Sequence, residues 1–400
     1  MLFRAVSDEL LRFHKERKEP LTGLLIALMA ETTVFFLGAP GTGKSLLVSD
    51  LCKRIDGSPK YFEWLLTKFS TPEELFGPIS LKELEHDHYT RVTTGKLPEA
   101  NVVFIDEIFK ASAGILNSLL TVLNERKFYN NGGATHVPWE ILVGASNETP
   151  DDPSLSALYD RMLLRYILPP IQSSKEFLSM VLDTANKAPG EACIGKKELD
   201  EARLIIPTVK VNQVVLDGMM EIRAKLITAG LRPSDRRWKS ALRMVQARAV
   251  LYERDSAVKE DLSILADIMW DTADQQRAVD RLVAEVANPL AAVALDYLDT
   301  IAEIEHNTLY LDDGTLNPTP NPQLGAEANA KLKTITSEIN KLVREEVTAG
   351  HDASKLSNAS DEAKAANRRV CEMALSVDLS AYEELAHVHT EEDHDNDDPF

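Results

Sequence analysis

GAPGTGKS, residues 38 to 45, is the stretch whose residue types and spacing announce chemistry most directly. It fits Gly-x4-Gly-Lys-Ser/Thr, follows an apolar run and opens a helical pattern, the order that a phosphate-cradling loop needs. Gly38, Gly41 and Gly43 let the backbone close around phosphate oxygens. Ala39, Pro40 and Thr42 complete the loop, and Leu46 continues the helix whose first N–H groups face an anion. Lys44 would neutralise β and γ phosphates and the Ser45 hydroxyl would ligate Mg²⁺, so ATP and Mg²⁺ are the expected ligands. No base-reading residue separates ATP from GTP.

Further along, NVVFIDEIFK (101 to 110) is an apolar strand pattern ending on two acids. Open α/β sheets place ligands at that carboxyl end. Asp106 would hold the Mg²⁺ shell, and Glu107 would orient and activate the attacking water. ILVGASNETP ends a second strand on Asn147, an amide able to position that water without repelling phosphate. In SLSALYDRMLLRY (154 to 166), Arg161 precedes an apolar run; its planar fork suits phosphate oxygens, and the alternative is an ion pair with Asp160 or another acid. In SDRRW (234 to 238), Ser234 reads as an N-cap, and Arg236 and Arg237 are either phosphate contacts or helix-surface charges.

These residues need elements to position them. Runs at 34 to 38, 61 to 66, 102 to 106, 141 to 146 and 163 to 168 predict strands alternating with helices, hence a parallel sheet with crossover helices over residues 1 to 170. A turn-rich stretch at 76 to 100 and a hairpin pattern at 125 to 141, centred on Asn131-Gly132-Gly133, interrupt the alternation and read as functional insertions. Residues 171 to 275 predict a separate α-helical lid, and residues 276 to 380 a mostly helical extension with a small hairpin around 308 to 317. The acidic segment 381 to 400 reads as a solvated tail, with His387, His389 and His394 a lesser candidate for metal binding.

Composition bounds the classes of function. With 44 basic against 63 acidic residues, the formal charge is −19, which argues against a surface that coats nucleic acid or anionic membrane. The 3 cysteines, Cys52, Cys193 and Cys371, show no paired spacing, so neither a disulfide framework nor a zinc site is predicted and a reducing cytoplasm is expected. The apolar stretch at 21 to 38 is interrupted by Glu31, Thr32 and Thr33, so no membrane insertion is expected.

The order of phosphate loop, acidic strand, Asn-ended strand, Arg161 and helical region resembles the AAA+ ATPases. The wording of TKFSTPEELFGPIS, YTRVTTGKLPEANVVFIDEIFKA, LNSLLTVLNERKF and SALYDRML is similar to their MoxR branch, with its RavA subgroup nearest, over residues 1 to about 275. That resemblance implies a P-loop AAA+ core, with Walker A at Gly38 to Ser45, Walker B at Asp106 and Glu107, sensor 1 at Asn147 and an arginine finger at Arg161. It also implies sensor 2 at Arg236, with Arg237 the alternative, a helix-2 insert at 76 to 100 and a pre-sensor-1 hairpin at 127 to 138. It further implies a Mg²⁺-dependent ATPase assembled as a ring, a hexamer, that remodels a protein client, with a von Willebrand factor A domain protein as partner. RavA-like chains carry a small β-rich module after the lid, whereas about 125 mostly helical residues follow here. Two other readings are a nucleic-acid motor or loader, which the charge and the lack of a basic, aromatic-rich stripe oppose, and a slow nucleotide-gated scaffold.

Overall fold

The computed structural model describes residues 2–150, 152–182, 192–311, 314–348 and 353–375. The acidic tail and its histidines lie outside the described residues. The chain runs α1 (Leu2–Leu11), α2 (Lys18–Ala30), β1 (Thr33–Leu37), α3 (Lys44–Cys52), β2 (Tyr61–Leu65), α4 (Pro72–Phe76), α5 (Leu81–Leu84) and β3 (Val102–Asp106). It continues through α6 (Ala113–Glu125), β4 (Lys127–Asn130), β5 (Gly133–His136), β6 (Ile141–Ser146), α7 (Ser156–Tyr159) and β7 (Leu164–Ile167). Helices α8 (Ser174–Leu182), α9 (Lys196–Ile205), α10 (Gln213–Thr228), α11 (Asp235–Leu251) and α12 (Ala273–Ala287) follow, with a 3-10 helix at Lys259–Asp267.

Five strands form a sheet in the order β2-β3-β6-β1-β7, every neighbouring pair parallel. Parallel strands joined by crossover helices are covered on both faces, so their sequences read as continuous apolar runs. All residues of β1 and β6 are accordingly buried, whereas β2, at an edge, buries only Phe62. Register then sets the function: Leu37 pairs with Ser146, Ile105 with Gly144 and Leu65 with Asp106, which levels the carboxyl ends of β1, β6, β3 and β2.

Two insertions flank that edge. The predicted hairpin is β4 and β5, paired antiparallel, while residues 77 to 100 are mostly loop around α5 with an antiparallel bridge from Ile79 to Arg91. They are pinned together: the Asn130 side chain accepts from the Arg91 N–H at 2.7 Å and donates to the Arg91 carbonyl at 3.1 Å, and Phe76 stacks on Phe128 at 5.4 Å.

Residues 1–287 make one compact unit, so the helical region expected from 171 packs into the same body as the sheet. The junction is polar. Arg165, fully buried on β7, donates to the carbonyls of Tyr159 at 2.8 Å and Met162 at 3.0 Å, to the Trp270 carbonyl, and to the Asp271 carboxylate at 2.9 Å. Its guanidinium also sits 3.8 Å from the centroid of the Tyr159 ring. A buried cation persists only where such partners replace its hydration.

The second unit begins at Asn288. Its helices α13 (Pro289–Leu309), α14 (Pro322–Thr348) and α15 (Ser354–Ala374) pack through Leu332, Ile339, Leu356 and an alanine seam at Ala359, Ala363 and Ala366. The alanines recur at helical spacing and admit a close approach of neighbouring helices. Arg369 clamps the bundle by donating to both oxygens of Glu305 at 2.5 and 2.8 Å. The predicted hairpin near 308 to 317 is reduced to a bridge between Tyr310 and Leu316 among the described residues. No described helix is long and apolar enough to cross a membrane.

Arg165→Met nearly keeps the side-chain volume but removes all of the hydrogen bonds that Arg165 makes at the junction. It is expected to lower the stability of the first unit by about 3 kcal/mol, read as a fall in the urea midpoint of unfolding; an unchanged midpoint would show that these bonds add nothing to the junction.

Candidate active site

Gly41 and Gly43 adopt φ of 84° and 83°, the left-handed conformation that side chains resist, and a Cβ there would touch nothing. The requirement is therefore on the backbone turn, not on space. Gly43 leads into α3 without a side-chain cap, which leaves the first-turn N–H donors of α3 for an anion. The Lys44 ammonium lies inside the loop, donating to the Gly38 carbonyl at 2.5 Å, the Ala39 carbonyl at 3.0 Å and the Asn147 side-chain oxygen at 3.3 Å. Burial pushes its pKa below the ordinary lysine value, and the negative charges of Asp106 and Glu107 oppose that shift.

The sheet brings the acids to the same place. Glu107 follows β3 in a left-handed conformation, φ 52°, and its carboxylate is bonded at both oxygens. It accepts from the Asn147 amide at 2.7 Å and pairs with Lys110 at 3.2 Å. Its own N–H donates to Asp106 at 3.0 Å. Asn147 thus spans from Lys44 to Glu107, its oxygen to the cation and its nitrogen to the carboxylate, which also fixes the amide orientation. The residues predicted separately as phosphate cation, water activator and strand-end amide form one hydrogen-bonded chain.

Ser45, in the first turn of α3, and Asp106, at the end of β3, offer the hard oxygen donors that Mg²⁺ takes. Among the described residues no group of three acids, histidines or cysteines could hold a metal alone.

Arg161, Arg236 and Arg237 lie elsewhere. The Arg161 carbonyl accepts from the Thr33 hydroxyl at 2.5 Å, which fixes it at the amino end of β1, about 13 Å of extended chain from the carboxyl end that carries the phosphate loop. Its guanidinium donates to the Asn124 side chain at 2.5 Å and to the Ala157 carbonyl. Neighbouring Asp160 is the anchor for the start of α11: it accepts from the Ser234 hydroxyl at 2.8 Å and pairs with Arg236 and Arg237, each at 3.1 Å. Arg237, with 5% of its side chain exposed, also donates to Asp271 at 2.5 Å, whereas Arg236 is 53% exposed. Burial and the nearby positive charge of Arg236 both lower the Arg161 pKa, which places those two arginines within electrostatic range of each other. The helix-start arginines therefore group with Arg161 and not with Lys44 of their own chain.

Sequence reasoning missed two participants and gave a third a different partner. Lys110 holds Glu107, and the buried Arg17 donates to the Pro169 carbonyl at 2.6 Å and the Thr42 carbonyl at 3.4 Å, bracing the phosphate loop from outside; Asp160, read as an alternative partner for Arg161, pairs with Arg236 and Arg237. Lys110 was within reach of the sequence, three residues beyond Glu107 in the same turn. Arg17 carried no such signal because its charged surroundings read as a solvated surface.

Residues 2–205 match the profile described as the MoxR domain in the MoxR-vWA-beta-propeller ternary systems, and residues 214–283 match an AAA lid domain. Two uncharacterized proteins of Methanocaldococcus jannaschii are each 35% identical, one over 77% of this chain and 80% of its own length, the other over 74% and 78%. A solved structure from Cytophaga hutchinsonii, described as a candidate ATPase, is similar with a TM-score of 0.58 at 18% identity, covering 71% of this chain and 94% of its own, a likeness of fold alone.

Asn147→Ala cuts the link between Lys44 and Glu107 without removing either. Phosphate release from ATP is expected to fall about 100-fold with nucleotide affinity preserved; parallel losses of turnover and affinity would instead make Asn147 a part of the binding loop.

Proposed function

Since the chain belongs to the MoxR family of AAA+ ATPases, we propose that it hydrolyses ATP with Mg²⁺ at an interface between copies, in a ring, to remodel a protein client. The observation that carries this reading is the separation of the two charged groups across the sheet: Lys44, Asp106, Glu107 and Asn147 at the carboxyl ends, Arg161 and Arg236 at the amino ends. Arginines that cannot reach their own chain's phosphate have a use if a neighbour presents its phosphate to them. A closed ring of head-to-tail contacts is the arrangement that supplies a neighbour to every subunit.

In this mechanism the loop N–H groups and Lys44 bind the phosphates, and Ser45 and Asp106 hold Mg²⁺, which supplies neutralisation of phosphate charge. Glu107 accepts the proton of the attacking water. Asn147 and Lys110 fix that carboxylate in place, so little reorganisation is needed when the proton moves. Arg161 and the exposed Arg236 of the adjacent copy meet charge developing on the transferred phosphoryl group, and Arg237 acts structurally by tying α11 to Asp160 and Asp271. A von Willebrand factor A domain protein is the partner proposed from the ternary systems named for the matching profile.

The test uses mixed subunits. Arg161→Ala and Lys44→Ala are each expected to be inactive alone, the first still binding ATP. Mixed together, they regain part of the activity, because some interfaces then pair an intact phosphate loop with an intact arginine. Full turnover by Arg161→Ala alone would remove the argument for an interfacial site.

A further inference from the structure

A cleft of about 270 Å³ opens between α10 and the start of α11, lined by Arg223, Ile227, Arg232, Pro233, Asp235 and Trp238. Arg223 and Ile227, four residues apart on α10, share one helix face, and Asp235 and Trp238 share the first turn of α11. Ile227 is 40% exposed, an apolar side chain left open to water beside the charges. Neither the Arg223 nor the Arg232 side chain makes a hydrogen bond or ion pair with any described residue. In a chain carrying 63 acidic against 44 basic residues, two exposed arginines without an ion-pair partner, facing one carboxylate, leave this cleft net positive and open to a negatively charged ligand.

We propose that this cleft is a docking site for an acidic peptide segment of a partner protein, with the two guanidinium groups taking carboxylates and the Ile227, Pro233 and Trp238 surface taking an adjacent apolar side chain. The composition favours a peptide over a nucleotide or a free phosphate. Trp and Arg together are the residue types that dominate protein interfaces. The Asp235 carboxylate in the wall leaves a net charge of one, enough for a carboxylate but poor for a phosphate dianion. The cleft lies beside Arg236, so an occupant would sit where α11 begins, next to the arginine cluster.

Docking in this cleft does not require ATP hydrolysis, so it is tested without nucleotide. A fluorescein-labelled peptide of alternating Glu and Gly around one central Leu is titrated with the full chain, following fluorescence anisotropy, beside a control peptide with Lys in place of Glu. Saturable binding of the Glu peptide alone is expected, weakening with salt and by about tenfold or more in the double variant Arg223→Gln, Arg232→Gln. Ile227→Glu, which leaves the arginines but adds a repelling charge on an exposed position, is expected to weaken binding in the same way. Thermal melting of each variant at the wild-type temperature separates lost docking from lost folding. Absence of saturable binding, equal binding of the Lys peptide, affinity indifferent to both variants, or displacement of the peptide by millimolar inorganic phosphate would each overturn the proposal.

Discussion

A parallel strand has two chemically different ends, and β1 uses both. At its carboxyl end the chain turns through Gly38 into the phosphate loop, and the pairing of Leu37 with Ser146 sets Asn147 level with that loop. At its amino end the Thr33 hydroxyl accepts from the Leu163 N–H and donates to the Arg161 carbonyl, fixing the entry to β7. Because side chains alternate faces along a strand, slipping β1 by one residue would turn its core residues out and disturb both ends. Burial of Val34, Phe35 and Phe36 at 0% exposure opposes that slip, so hydrophobic packing in the middle of the sheet holds the separation between the phosphate loop and Arg161.

The arginine end is joined to the helical region by charge. Asp160 pairs with Arg237, Arg237 with Asp271, and Asp271 with the fully buried Arg165, so one alternating chain runs from the loop before β7 through α11 and back into β7. Such a network gains less than its Coulomb energy suggests, since each charge gives up hydration, but removing one member strands the others. It also couples two places: Asp160, next to Arg161, accepts from the hydroxyl of Ser234, the N-cap of α11, so a force on Arg161 is felt at the helical region. That links Arg161, the residue proposed to face a neighbouring copy, to a packed helix, the kind of contact from which domain movements are built.

How much of this the sequence disclosed depended on whether the cause was local. The phosphate loop is a continuous spacing of residues, and the core strands are continuous apolar runs, so both were legible; β1, β2, β3, β6 and β7 lie within a residue of the stretches that predict them. Asp106, Glu107 and Asn147 were legible for a related reason, as polar residues at the ends of apolar strands. Partnerships made by tertiary structure were not. Nothing about Arg165 in LLRYIL distinguishes a cation bonded to Trp270 and Asp271 from one pointing to solvent, because its partners lie more than a hundred residues away. The same is true of Arg236 and Arg237, adjacent in sequence and opposite in burial, where helix geometry separates an exposed charge from a structural one.

The proximity of Arg161 and Arg236 gives the arginine end an electrostatic character that neither residue has alone. Each is permanently charged, and the positive charge of Arg236 adds to burial in lowering the Arg161 pKa. Asp160 offsets part of the repulsion, but it is shared among Arg236, Arg237 and the Ser234 hydroxyl. An anion seated between the two arginines would therefore gain attraction from both and also relieve the repulsion between them. Screening by water and salt weakens that relief in the isolated subunit, whereas a covering neighbour excludes water and strengthens it. On the proposed reading, the arginines respond most strongly to phosphate when the interface is closed, which ties the electrostatic response of one subunit to the arrival of the next.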